Sequence, residues 1–315
     1  MTMKKPLIII AGPTASGKSE LAVMLAKRIN GCIISADSMQ VYRGMDIGTA
    51  KITPDEMQGI EHYLIDVMNP TDDFNIVTFQ ALANAAIGQI YDKACIPIIC
   101  GGTGFYIDSV LYNTEFDAED DSSEYRNKLT MLARNHGNVS LHNMLSEVDE
   151  ESARKLHPND LRRVIRALEY YKKTGKKISE HNDNEMKKES EYNFAYFVLT
   201  DDREAIYERI DNRVDKMIDN GLVREVDDLK GNGLSMDNVS MHGLGYKEIL
   251  SYLNGEISLE EAIYILKRDT RHFAKRQLTW YKREKDVIWI DRRDYARNSE
   301  MIDYMESVCK DKGLI

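Results

Sequence analysis

No stretch of the 315-residue chain approaches the roughly 20 consecutive apolar residues that span a bilayer, which argues against a helical membrane protein. The start, Met1-Thr2-Met3-Lys4-Lys5, leads straight into an apolar run and has no leader architecture, so a cytoplasmic chain is expected. Only four cysteines occur, Cys32, Cys95, Cys100 and Cys309, with no C-x-x-C pair and no His-Cys zinc spacing. That excludes a disulfide framework and a structural zinc site, and reduced core thiols are expected. His62, His136, His142, His181 and His242 form no ligand-like grouping, and no internal repeat is present. Positive charge is also in deficit. With 42 Lys and Arg against 52 Asp and Glu the net charge is −10, which alone argues against a nucleic-acid partner.

The distribution of charge argues the other way. Between Arg154 and Lys177 stand nine basic residues against Asp160 and Glu169, and between Lys267 and Lys285 eight against Asp269 and Glu284. The compensating acid lies elsewhere, at Glu115–Glu124 and Glu147–Glu151. Two segregated basic helices can steer a polyanion to an acidic protein, although solvated helix faces would look the same.

The first hundred residues alternate strand and helix: strands at 6–11, 32–35, 62–67 and 96–100, helices at 17–29 and 76–93. Such alternation specifies an α/β fold, a P-loop NTPase-like parallel sheet flanked by helices. From 115 to 191 the chain is polar and periodic at helical spacing, with narrow stripes formed by Leu129, Leu132, Leu141, Met144, Leu145, Leu161, Val164, Ile165 and Leu168. We read 115–191 as an all-helical insertion domain, with 1–114 and 192–315 forming the catalytic core. Ser179–Glu191 reads as a mobile connector. Beyond it a strand at 192–199, helices near 202–220, 222–231, 245–254 and 258–284, and a last strand at 287–290 are expected.

Between the first strand and helix lies Gly12-Pro13-Thr14-Ala15-Ser16-Gly17-Lys18-Ser19, the G-x-x-x-x-G-K-[ST] phosphate loop in the context it needs. Its glycines let backbone N–H groups curl around an anion at a helix N-terminus. Lys18 supplies charge to the outer phosphate, and the Ser19 hydroxyl can hold Mg²⁺. Asp37 follows the second strand, at the strand end that faces the ligand crevice, where it can ligate a metal or accept a proton. Leu64-Ile65-Asp66 has the look of a metal-coordinating Walker B aspartate. Gly101-Gly102-Thr103-Gly104 allows backbone to approach a ligand and offers the Thr103 hydroxyl.

Together these segments resemble the tRNA dimethylallyltransferase (tRNA isopentenyltransferase) family. The resemblance is carried by Gly12–Ser19, Asp37-Ser38-Met39-Gln40-Val41-Tyr42-Arg43, Gly44–Lys51, Gly101-Gly102-Thr103, His157-Pro158-Asn159-Asp160, Arg163 with Arg166-Ala167-Leu168-Glu169, Gly243–Tyr246 and Lys275-Arg276-Gln277-Leu278-Thr279-Trp280, in order from about residue 6 to 290. It implies transfer of a dimethylallyl group from dimethylallyl diphosphate to N6 of the adenosine 3′ of the anticodon, in tRNAs reading codons that begin with U. The phosphate loop, often labelled an ATP or nucleotide site from its motif, then holds the diphosphate with Mg²⁺ on Ser19. By the same resemblance Asp37 is the general base, and Thr103 and Arg213 reach the diphosphate with Lys18. Ser38, Met39, Gln40, Arg126, Arg162, Arg163, Arg166, Lys275, Arg276 and Trp280 join Asp37 and Thr103 in contacting the tRNA anticodon stem-loop.

Physical chemistry supports those assignments. A base buried in the anticodon stack must be turned out before it can react, which gives the basic helices a task. Arg268, Arg271, His272, Lys275 and Lys282 form a basic stripe on the later helix. Ser19 replaces the family's commoner Thr and keeps the hydroxyl. Arg162 stands where many relatives carry Gln, which shifts a base contact toward a phosphate contact, and Arg126 matches at a one-residue difference in spacing. A nucleoside-monophosphate kinase would not need the basic helices, prenyl transfer to free AMP would not need the insertion, and a non-catalytic RNA binder would not need Asp37. The motifs do not fix oligomeric state, and a monomer is the working expectation.

Overall fold

The computed structural model describes residues 4–116, 123–185 and 187–315. Its first part contains β1 (Lys5–Ala11), α1 (Lys18–Ile29), β2 (Gly31–Ala36), α2 (Pro54–Met57), β3 (His62–Tyr63), α3 (Ile76–Asp92), β4 (Ile96–Gly101) and α4 (Gly104–Leu111). Five helices follow: α5 (Ser123–His136), α6 (Asn138–Val148), α7 (Glu150–Lys155), α8 (Leu161–Thr174) and α9 (Ile178–Glu185). The sheet resumes with β5 (Tyr192–Thr200), then α10 (Arg203–Asp219), α11 (Leu222–Gly231), α12 (Tyr246–Leu253), α13 (Leu259–Tyr281), β6 (Val287–Asp291) and α14 (Asn298–Asp311).

All six strands are parallel, in the order β3-β2-β4-β1-β5-β6. Alternate residues feed two cores: Leu7, Ile9 and Ala11 face one, Ile8 and Ile10 the other. α1 and α14 cover one face, and α3, α4, α12 and α13 cover the other. Burial on both faces is why these strands read as unbroken apolar runs rather than as alternating patterns.

Three expectations change. The apolar run at 62–67 suggests one strand, but pairing with β2 stops at Tyr63. Leu64 and Asp66 have φ of 63° and 55°, a left-handed backbone that no strand accommodates. Ser179 to Glu185, read as connector, belongs to α9. The C-terminal helix α14 is unannounced by sequence reasoning, because its buried stripe is only Met301, Ile302, Met305 and Cys309. Among the described residues no helix is long and apolar enough to cross a membrane. All four cysteines are free, with Cys32, Cys100 and Cys309 buried.

Contacts divide the chain into two compact units, Met1–Asn113 with Glu191–Ile315, and Thr114–Ser190. The second unit has its own core, in which Leu129, Leu141, Leu145, Val164, Ile165 and Leu168 are buried. Within the acidic stretch Glu115–Glu124, residues 117–122 lie outside the described residues. Asp149 ties three helices of this unit together. Its carboxylate accepts from the Ser152 N–H (3.0 Å) and hydroxyl (2.8 Å) and from the Ser179 N–H (2.9 Å) and hydroxyl (2.8 Å). Burial opposes ionisation of Asp149, but these four hydrogen bonds outweigh it and hold the carboxyl below its ordinary range.

A carboxyl depressed on folding stabilises the fold above its unfolded pKa of about 3.9 and loses that contribution as pH falls through the folded value. Asp149→Ala is therefore expected to destabilise the unit by about 3 kcal/mol at neutral pH, since it strands buried donors. The difference from wild type should narrow in acid, where the share that comes from the ionised carboxylate is lost. Urea unfolding of both proteins at neutral and acidic pH measures it.

Candidate active site

Sheet register sets the site. Gly101 lies level with Ala11 of β1 and with Ala36 of β2, so the three loops that leave those strands start at one height. These loops are the phosphate loop, the segment beginning at Asp37, and Gly102–Thr103. Open α/β sheets bind ligands at this end of the strands. A cleft of about 730 Å³ lies there, lined by Lys18, Ser19, Asp37, Gly101, Arg213 and Gln277 among others. Val23, Ile47, Ile52, Met217 and Phe273 give the same cleft an apolar side.

The phosphate loop is shaped for an anion. Ala15 is left-handed at φ 61°, a strained conformation for a side-chain-bearing residue. At Gly17, φ is 82° and a Cβ would lie 2.7 Å from the Arg292 guanidinium. Among the described residues the N–H groups of Ala15, Gly17, Lys18 and Ser19 meet no protein acceptor, and the buried Ser16 hydroxyl has no partner. Burial depresses the pKa of Lys18, with the charge of Arg213 adding to the effect and Cys100 and Asp37 opposing it. Arg213 is likewise depressed by burial, against the pull of Asp37 and Glu56. Two cations thus face one cradle where an anion would relieve both. Cys100 lines the same cleft, and its burial pushes the thiol up to about 11, so it is neutral.

Residues that sequence reasoning missed fix the loop from behind. Arg209 donates to Ala15 O (2.9 Å) and Arg292 to Ser16 O (3.1 Å), so both carbonyls are held by guanidinium groups. Arg209 also donates to Asp201 (2.8 Å). Gln277 accepts from the Thr14 N–H (2.9 Å) and donates to Gly102 O (2.9 Å). Arg213 donates to the Thr14 hydroxyl (3.3 Å).

Asp37 sits one residue beyond β2, and its Oδ1 accepts from the N–H groups of Met39 (2.9 Å) and Gln40 (3.4 Å). Among the described residues Oδ2 has no hydrogen-bond partner. The Gln40 carboxamide reaches Ser35, Thr49 and Ala50, while Met39 packs against the core and Gly243. Ser38, Met39 and Thr103 are outside the cleft lining. Thr103 begins α4, and its hydroxyl makes no capping bond.

The loop around Gly48 is pinned from a distance by Glu225. That carboxylate accepts N–H bonds from Asp46 (2.9 Å), Ile47 (2.8 Å) and Gly48 (3.1 Å), and the Tyr246 hydroxyl (2.7 Å). Lys51 of this loop donates to Asp66 (2.6 Å) and Asp46 (2.6 Å). Asp66 is therefore exposed, off the cleft and neutralised by Lys51, and the Walker B expectation for it fails.

The expected RNA contacts divide into two kinds. Arg162, Arg163 and Arg166 are exposed on α8, opposite its buried Val164, Ile165 and Leu168. Arg163 meets Asp160 at 3.3 Å, whereas Arg126 makes a bidentate pair with the buried Glu169 (3.0 and 2.9 Å). On α13, Lys267 and Arg271 are bound to Asp215 and Asp211 of α10, and Arg268 to Asp269. Two of the five residues of the expected stripe, Arg268 and Arg271, are thus engaged in internal ion pairs. Lys275 and Arg276 are exposed and, among the described residues, have no acidic partner. The Trp280 ring packs on Gly104 and meets Phe105 edge-on at 6.0 Å.

No group of three His, Cys, Asp or Glu able to hold a metal occurs among the described residues. The donors present still suit Mg²⁺, which keeps waters and takes substrate phosphate oxygens plus one or two protein ligands. Ser19, which lines the cleft, is the residue that would hold it.

Comparisons with known proteins identify the family. The family model for IPP transferase matches residues 40–284. The chain is 55% identical over 311 residues to the tRNA dimethylallyltransferase of Lachnoclostridium phytofermentans, covering 99% of both chains. It is 49% identical over 296 residues to that of Acetivibrio thermocellus, covering 94% of this chain and 95% of the relative. Among solved structures, the tRNA isopentenylpyrophosphate transferase of Bacillus halodurans superposes with a TM-score of 0.74 at 42% identity, covering 98% of each chain. A eukaryotic dimethylallyltransferase described as acting on tRNA gives 0.80 at 32% identity, covering 96% of this chain and 80% of that one.

Proposed function

The chain belongs to the IPP transferase family and is a prenyl-transferring enzyme, and from that premise we propose that it moves a dimethylallyl group onto N6 of the adenosine 3′ of a tRNA anticodon. The observation that carries this reading is that Asp37 and the phosphate cradle line one cleft. An ATPase would also set a carboxylate beside its cradle; prenyl transfer to an amine needs that pair and, in addition, the apolar side that this cleft has for a hydrocarbon.

The loop amides, Lys18 and Arg213 bind the diphosphate, and Val23, Ile47, Ile52, Met217 and Phe273 receive the hydrocarbon. The new bond forms between N6 and the allylic carbon as the carbon–oxygen bond breaks, and pyrophosphate leaves with the electron pair. Adenine N6 is a weak nucleophile whose lone pair is spread into the ring, so it must lose a proton as it attacks. Asp37 Oδ2 accepts that proton. Donors aimed where charge develops on the leaving group supply the largest share of acceleration. Mg²⁺ held at Ser19 would add neutralising charge to the diphosphate.

Arg162, Arg163, Arg166, Lys275 and Arg276 hold the RNA. Arg163→Ala with Arg166→Ala is expected to lower the slope of log affinity against log salt by about 1–2, because each phosphate contact contributes nearly one unit. Filter binding of tRNA across a salt series measures it.

The reading is tested by incubating the protein with unmodified tRNA, Mg²⁺ and either dimethylallyl diphosphate or ATP, then weighing the nucleosides. Gain of one dimethylallyl unit on a single anticodon-loop adenosine is expected. A protein that turned over ATP and left the RNA unchanged would not be this enzyme.

A further inference from the structure

We propose that Gln277 is a positioning residue for the transfer reaction: its carboxamide fixes the distance between the diphosphate cradle and the loop that carries Thr103. The inference rests on the transfer reading above. Gln277 is 6% exposed and lies near the C-terminal end of α13. Its two ends are used in opposite senses, accepting from Thr14 and donating to Gly102. A carboxamide of this length supplies both the acceptor and the donor without depending on pH. Gly102 is matched to it, since a Cβ there would stand 2.1 Å from the Gln277 nitrogen.

The contact joins elements that do different work. Thr14 belongs to the phosphate loop and also receives Arg213 on its hydroxyl. Ala274, one turn before Gln277, shares a buried apolar cluster with Ala15 of the same loop. Two consecutive turns of α13 therefore underlie the cradle on one face, while Lys275 and Arg276 are exposed on the other. Thr103 follows Gly102 directly, so a shift of the Gly102 carbonyl carries Thr103 with it. Misplacement of reacting groups by about 1 Å costs on the order of 100-fold in rate. The cleft lining contains no other side chain that bridges these two loops by hydrogen bonds at both ends.

Two variants of the full chain test the proposal. Gln277→Met keeps the length and loses both hydrogen bonds. It should lower kcat by about 30–100-fold, weaken pyrophosphate binding measured by calorimetry, and leave tRNA affinity within about twofold. Gln277→Glu keeps the acceptor for Thr14 but sets a carboxylate oxygen against the Gly102 carbonyl. Buried there, the new carboxyl titrates above its ordinary range. Once protonated it donates to Gly102 again, so the ratio of its kcat to that of wild type should rise as pH falls. A residue that served only stability would change the melting temperature and show no such pH-dependent recovery.

Folded Gln277→Met with kcat and pyrophosphate affinity within about threefold of wild type would overturn the proposal, as would a Gln277→Glu ratio flat in pH. Should wild type itself transfer nothing to tRNA, the functional reading fails separately. Pyrophosphate binding, which needs neither RNA nor turnover, then decides whether the clamp exists.

Discussion

Asp37→Asn is expected to lower turnover by roughly 10²–10⁴-fold, the range for removal of a positioned general base, with donor affinity nearly unchanged. The substitution is mild structurally. The amide oxygen of Asn can still accept from the Met39 and Gln40 N–H groups, which is the bond that shapes the turn after β2. What it cannot do is take a proton at the other position. The substituted site therefore still cradles a diphosphate, through Lys18, Arg213 and the loop amides, and still has the apolar side for the hydrocarbon. Single-turnover transfer to tRNA, measured beside pyrophosphate affinity, separates the two contributions. Loss of rate at intact affinity fits the base. A rate within about threefold of wild type would remove Asp37 from the reaction, and equal losses in both would make it a diphosphate or metal ligand instead.

How far the sequence could be read depends on where a residue's partner lies. Gly12–Ser19 and Asp37 are legible because their setting is local: an apolar strand, a turn and a helix place them at the strand ends without help from elsewhere. Gln277, Arg209, Arg292 and Glu225 were not legible as site residues. Each acts on backbone atoms of a distant loop, Gln277 from 263 positions away and Arg292 from 276. No periodicity records such a contact. The signals for Gln277 were its place in the Lys275–Trp280 motif and its lack of charge inside the basic run of α13.

The basic stripe shows the converse limit. Helical spacing correctly groups residues on a face but does not say what that face meets, and Arg271 of the stripe meets Asp211 of α10. The third strand failed for a related reason: Leu64-Ile65-Asp66 is apolar and strand-like, but its left-handed turn is set by hydrogen bonds to Gln40 and Val41.

Removal of the Lys18 charge should have the other large effect. Lys18→Met is expected to lower kcat/KM for the donor by about 10²–10³-fold, comparable to loss of one preorganised donor at a developing oxyanion. Unlike Asp37→Asn, it should weaken pyrophosphate binding as well, because the charge meets both the bound diphosphate and the departing one. Burial and Arg213 hold the Lys18 pKa below the usual lysine value of about 10.4. A bound dianionic group reverses that depression, so binding takes up a proton, and donor KM should climb as pH rises through the depressed pKa. In Lys18→Met that alkaline limb should be absent. In Arg213→Gln it should move to higher pH, since one of the two influences lowering Lys18 is gone, even though overall affinity falls. Donor KM and pyrophosphate inhibition measured from neutral to alkaline pH in the three proteins provide the check. An alkaline limb that persisted unchanged in Lys18→Met would mean that another group carries the charge on which the leaving diphosphate depends.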